Sequence, residues 1–205
     1  MSMPKSLRLT GYDIEIIYQD RNKRHDYFNT EAEMEQIIIY TEYSDKRTKL
    51  SLWDSFFAYK IHCVDRCPFD NDKDEMSNTA SRLIFDFLVS NPVLLKKEIP
   101  KAINILGIDY PVSFVDHLEG DVFASGEINQ NEMRISITRR AQKATQFRIL
   151  LHEYFHEIID LINPSVGNNE FIINTLANGL NEIITLNDLS WMLDNTGEIE
   201  IIQEG

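Results

Sequence analysis

Two histidines four residues apart flank a glutamate in the string His152-Glu153-Tyr154-Phe155-His156. On a helix this spacing projects both imidazoles from one face, one turn apart, within reach of a single metal ion. Glu153 lies beside them, where it can take a proton from a water that the metal activates, the arrangement that metal-assisted peptide hydrolysis needs. A chain of 205 residues with 5 histidines should contain such a string by chance only about 0.01 times. The competing reading is a pair of exposed histidines on an amphipathic helix.

Catalytic zinc uses three protein ligands and keeps its fourth position for water, so a third ligand is required. Asp160 continues the same helical face, but it is eight residues from His152, a rise of about 12 Å, and cannot join both histidines on one ion. Glu170 is the expected ligand. It follows a Pro164-Ser-Val-Gly-Asn-Asn turn that can fold the next helix back against the first. Its alternative is an acidic residue that simply suits a helix N-terminus. Asn174, one turn further, either orients the ligands or faces water, while Asn178 and Asn181 are expected to face solvent or pack. His25, His62 and His117 are each isolated and are expected on the surface or in the core. For an oxyanion donor the sequence offers only Tyr154 and His117, neither compelling.

The elements that must carry these residues follow from periodicity. From Ala144 to Leu161, Phe147, Leu151, Phe155, Ile158, Ile159 and Ile162 recur at helical spacing, and Pro164 stops the run. Asn169 to Leu186 repeats the pattern with Phe171, Ile172, Leu176, Leu180, Ile183 and Ile184 as its apolar stripe. Residues 133–138 alternate Met, Arg, Ile, Ser, Ile, Thr, the pattern of a half-buried strand.

The same order is written twice. Leu9-Thr-Gly-Tyr-Asp-Ile matches Ile105-Leu-Gly-Ile-Asp-Tyr, the strand-like runs from Ile14 and Met34 match those from Val112 and Met133, and Lys49 to Tyr59 matches the His152 region. Thr79-Ala-Ser-Arg-Leu then matches Leu176-Ala-Asn-Gly-Leu, all at offsets of 96 to 99 residues. Trp53 falls at the place of His152 and Phe57 at that of His156, so the first copy has no metal ligands. The expected fold is α+β: two tandem units, residues 1–95 and 96–205, each a small β-sheet followed by two packed helices. The boundary runs from Asn91-Pro92 to Pro100.

Lys plus Arg number 20 against 33 Asp plus Glu, a formal charge of −13, which opposes nucleic acid and anionic membrane as partners. With no run of 18 apolar residues and no apolar signal core after Lys5, a cytoplasmic location is expected. The two cysteines, Cys63 and Cys67, lack the C-x-x-C spacing and are expected as reduced thiols; the alternative is a metal site with His62.

The His-Glu-x-x-His helix, followed by Asn169-Glu170-Phe-Ile-Ile-Asn and then Leu-Ala-Asn-Gly-Leu, resembles the small zincin-type metallopeptidases of phages and mobile elements, including the ImmA/IrrE-type proteins that cleave repressors. The resemblance covers residues 100–187. It implies Zn2+ held by His152, His156 and Glu170, Glu153 as general base, a protein or peptide substrate, and a strand before the helix lining the cleft. Against the thermolysin-like pattern, the interval from His156 to Glu170 is short, and Asn174 stands where an Asp is expected. Two other classes fit the same residues: a binding, inhibitor or immunity protein on a zincin scaffold, and a structural zinc site without turnover. Oligomeric state is not legible in the sequence.

Overall fold

The computed structural model describes residues 4–9, 12–19, 36–40, 53, 73–118, 124–162, 164 and 169–193. The fold is α+β. Strands β1 (Ser6–Leu9), β2 (Tyr12–Gln19) and β3 (Gln36–Tyr40) form one sheet in the order β1-β2-β3, with β1 antiparallel and β3 parallel to β2. Helix α1 (Lys73–Ser90) and a short 3-10 turn at Pro92–Lys96 lead into the second sheet. This sheet contains β4 (Ala102–Ile105), β5 (Ile108–Val115), β6 (Gly126–Asn129) and β7 (Arg134–Thr138) in the order β4-β5-β7-β6. Helices α2 (Lys143–Ile162) and α3 (Glu170–Leu186) follow and pack on each other.

The two sheets share a pattern. In both, the first strand is antiparallel to the second and the second parallel to a later one: β1, β2, β3 in the first, β4, β5, β7 in the second. Among the described residues only the second sheet has a further strand, β6, outside β7 and antiparallel to it. The buried cross-strand pair Leu7 and Ile14 in one sheet corresponds to Ile103 and Tyr110 in the other.

Each half is tied to the other through the residue after a helix. Past α1, Asn91 Nδ2 donates to Phe87 O at 2.8 Å and to Asn104 O at 2.7 Å, while Asn104 N–H donates to Asn91 Oδ1 at 2.7 Å. Past α3, Asn187 Nδ2 donates to Ile183 O and to Arg8 O, both at 2.9 Å, and Arg8 N–H donates to Asn187 Oδ1 at 2.6 Å. The two clamps are reciprocal: α1 ends on the first strand of the second sheet, and α3 ends on the first strand of the first sheet. Both asparagines also bond a carbonyl in the last turn of the helix they follow; Phe87 O accepts from the Asn91 backbone N–H as well, at 3.0 Å. One continuous cluster of buried apolar side chains, from Leu7 to Met192, runs through both halves.

Three expectations need correction or restriction. Residues 134–138 do not alternate in exposure, since Ile135 to Thr138 are all buried. β7 is an internal strand, and its Ser136 Oγ shares a 3.3 Å hydrogen bond with Ser113 Oγ of β5. Phe171 is not part of the apolar stripe of α3 but is 60% exposed. Its helical phase places it with Asn174 and Asn178, while Ile172, Ile173, Leu176, Ala177 and Leu180 face the core. Trp53 is helical and fully buried, its indole N–H donating to Ser81 O at 2.9 Å, whereas Phe57, His25, His62, Cys63 and Cys67 lie outside the described residues. Among the described residues no helix is long and apolar enough to cross a membrane.

Candidate metal centre

α2 packs against β6, β7 and α1 and buries Leu150, Leu151, Tyr154, Phe155 and Ile158. That leaves His152 and His156 half-buried on a neighbouring face. The start of α3 supplies the third group. Asn169 caps that helix, its Oδ1 accepting from Phe171 N–H at 3.2 Å and Ile172 N–H at 3.4 Å, which fixes Glu170 in the first turn.

The result is a tight donor trio. His152 Nε2 and His156 Nε2 are 3.0 Å apart, and the Glu170 oxygens lie 3.4 Å from His152 Nε2 and 3.3 Å from His156 Nε2. Metal–ligand bonds of about 2.0–2.1 Å in a tetrahedron put the ligand atoms about 3.3 Å apart. The two Glu170 distances run to different oxygens, Oε2 toward His152 and Oε1 toward His156, so the carboxylate straddles the imidazole pair. One ligand atom from each residue lies within 4.8 Å of the others, close enough to share one cation, and the donor set of two imidazoles and a carboxylate suits zinc. Among the described residues this trio is the only such group of His, Cys, Asp and Glu side chains. Burial, and secondly the charge of His156, hold the His152 imidazole below its usual pKa, against the opposing pull of Glu170 and Asn174. The neutral form, which offers a lone pair to a metal, is thereby favoured. Asn174 belongs to this cluster: its Nδ2 donates to Glu170 O at 2.8 Å, and it faces His152.

Glu153 is the buried member. It is only 5% exposed, and its carboxyl is pushed up to about 8, first by burial, then by the charge of Glu170, with the Ile128 backbone N–H opposing the shift. β6 makes that contact possible. Thr138 N–H donates to Ser125 O at 2.9 Å, and Glu127 and Asn129 stand opposite Ser136 and Arg134. The alternation of an antiparallel ladder then turns the backbone groups of Gly126 and Ile128 outward, away from β7. At Gly126 a β-carbon would meet the Ile149 side chain and come within 2.5 Å of Glu153 Oε1. Only glycine lets the strand lie this close to α2.

A cavity of about 300 Å3 opens over the trio, lined by residues that include Gly126, Arg148, His152, Glu153, His156, Glu170 and Asn174. Of the sequence candidates, His152, Glu153, His156, Glu170 and Asn174 meet here. Asp160 stays outside the trio, as its axial distance requires. Asn178 instead accepts from Arg148 at 3.3 Å, and Asn181 is half-buried on α3. Neither oxyanion option is present: Tyr154 is fully buried with its hydroxyl on Leu83 O at 3.2 Å, and exposed His117 pairs with Arg140 at 2.6 Å. Sequence reasoning missed Gly126, Ile128 and Arg148. The nearest signal was Gly126 itself, an isolated glycine in a short polar run.

Neither a protein-family model, nor a curated protein, nor a solved structure matches the chain.

Proposed function

We propose that the chain is a zinc-dependent peptidase acting on a protein or peptide substrate, with His152, His156 and Glu170 as ligands and Glu153 as general base. The observation that carries this reading is the trio itself: two imidazole nitrogens 3.0 Å apart with the Glu170 carboxylate straddling them, and the buried Glu153 carboxyl lining the same cavity. Zinc, when bound there, supplies a Lewis acid that polarises a carbonyl and acidifies water. Glu153 takes up the proton at a carboxylate oxygen and returns it to the leaving amine. Ile128 N–H holds that carboxylate in place, and Asn174 steadies Glu170. The outward backbone groups of β6 other than the Ile128 N–H, those of Gly126 and the Ile128 carbonyl, pair with an extended substrate, strand to strand.

Three ligands rather than four among the described residues support a catalytic over a structural zinc site. The non-catalytic binding-protein reading draws its support from the first half, where buried Trp53 stands at the place of His152. We read the two halves as copies of one zincin-like unit, residues 1–95 and 96–205, on the strength of the matching strand directions and the reciprocal asparagine clamps. A cytoplasmic location goes with this reading and rests on the sequence.

The test is zinc content by elemental analysis together with cleavage of an unfolded protein substrate, for wild type and Glu153→Gln. We expect one zinc per chain in both, with cleavage slowed about 10²–10⁴-fold in the variant. A chain that retains no zinc, or equal cleavage by both proteins, overturns the proposal.

A further inference from the structure

The cleft beside β6 is unequal at its two ends. Gly126 lies against Ile149 and Glu153, and Gln130 Nε2 reaches Asp160 at 3.4 Å, so β6 and α2 run side by side in the same direction. From 148 to 160 the helix rises about 18 Å, and from 124 to 130 an extended strand covers about 20 Å. The cavity over the trio occupies the Ala124 end and contains Arg148. A second cavity of about 610 Å3 occupies the other end, lined by Glu127, Asn129, Gln130, Asn131 and Asp160. Glu153 and His156 line both, which puts the trio near the middle.

Arg148 is exposed and its recorded partner is the neutral Asn178; among the described residues it makes no ion pair, and neither does Glu127 or Asp160. One cation at one end and one anion, Asp160, at the other therefore remain for a ligand to complement, with Glu127 adding negative charge between the middle and the Asp160 end. Each end is about 9 Å along the helix from the midpoint, or about three residues of extended peptide. Antiparallel addition, the more stable pairing per residue, puts the N-terminal part of the peptide over the Asn129–Asn131 end.

We propose that this cleft selects extended peptides by charge polarity, taking a Lys or Arg about three residues before the central bond against Asp160, and an Asp or Glu about three residues after it against Arg148. This rests on reading the trio as a site that holds an extended peptide. The test uses two end-blocked peptides, one with Lys before and Glu after the central bond and one with the two exchanged. Their affinities for the full-length, zinc-loaded Glu153→Gln chain are measured by fluorescence anisotropy. We expect the first peptide to bind roughly tenfold tighter at low salt, with the gap shrinking at high salt. The double variant Arg148→Glu, Asp160→Lys is expected to reverse the preference. Equal affinities, preference for the exchanged peptide, or binding of neither overturns the polarity. Cleavage by the wild-type chain is scored separately: charge-selective binding without cleavage leaves the polarity standing and removes the peptidase reading.

Discussion

The first sheet and the second are built on the same three strands, yet only the second sits beside a donor trio among the described residues. Among the described residues, what separates them is additive. β6 is laid outside β7, bringing Gly126 and Ile128 against Glu153, and the helix that follows carries the two histidines, whereas in the first half Trp53 is buried and hydrogen-bonded to Ser81. The similar strand arrangement holds each sheet, and the donor trio with its buried Glu153 depends on an edge strand and a few side chains placed beside it. An aromatic side chain suits the other half because it fills space and buries apolar area that a polar pair of imidazoles would leave open.

The comparison breaks most severely if the added chemistry is removed. His152→Ala or His156→Ala takes one imidazole from a three-ligand site, and elemental analysis is expected to find the zinc lost. Glu170→Ala is expected to weaken zinc more than Asp160→Ala, as a competition titration with a chelator would show. The reverse ranking would break the assignment of Glu170. Next in size is the added strand. Gly126→Val places two methyl groups where even a β-carbon meets Glu153 and Ile149, so β6 must withdraw. Peptide cleavage is expected to fall about 10–100-fold with zinc retained, a loss of positioning rather than of ligands.

The parts of this arrangement that were legible in the sequence are those with long-period or chemical signatures. α2 and α3 were readable because their apolar residues recur at helical spacing and Pro164 interrupts them. The approach of Glu170 to the histidines was readable because Asp160 fails on axial distance and zinc needs a third ligand. β6 was not readable: Gly-Glu-Ile-Asn is four residues long, without alternation, and its role depends on contact with a helix more than twenty residues later. Phe171 was misplaced because one apolar residue at the edge of a stripe shifts phase by only 100° from buried Ile172. Tyr154 could have faced the cleft on identity alone, and only the packing of α2 on α1, where its ring stacks on Phe87 at 3.6 Å, turns it inward.

The reciprocal clamps sharpen the comparison at the level of stability. Asn91→Ala and Asn187→Ala each remove three hydrogen bonds and leave the corresponding backbone groups, at Asn104 or at Arg8, unpaired. Asn91 is buried and Asn187 only half-buried. Chemical denaturation is expected to show a cost of about 2–3 kcal/mol for the first and about 1–2 kcal/mol for the second. Losses of very different size, or none at Asn187, would argue that the two clamps are not equivalent.

The smallest effect lies at a matched pair in the two sheets, where Ile14 in one corresponds to Tyr110 in the other. Tyr110 is buried, and its hydroxyl donates to Glu157 Oε1 at 3.1 Å; Glu157 Oε2 has no partner among the described residues. Burial, then the charge of Glu157 and the hydrogen bond to it, push the Tyr110 hydroxyl up to about 12. An unfolded tyrosine ionises near pH 10, so between these values the folded chain keeps a proton that the unfolded chain has released. The stabilisation is complete below about pH 10 and disappears as the pH rises toward 12. Tyr110→Phe is expected to cost about 1–2 kcal/mol at neutral pH, since it leaves a buried carboxylate without its donor. Tyr110→Ile combined with Glu157→Ala, which gives the second sheet the apolar character of the first, is expected to cost less than the two single changes together, because it removes both ends of the hydrogen bond. Denaturation curves from pH 7 to 12 would check the sign: the wild-type chain loses stability steeply above pH 10, and the Tyr110→Phe chain loses less over the same range. A steeper loss in the variant would mean that Tyr110 is not the group that holds the proton.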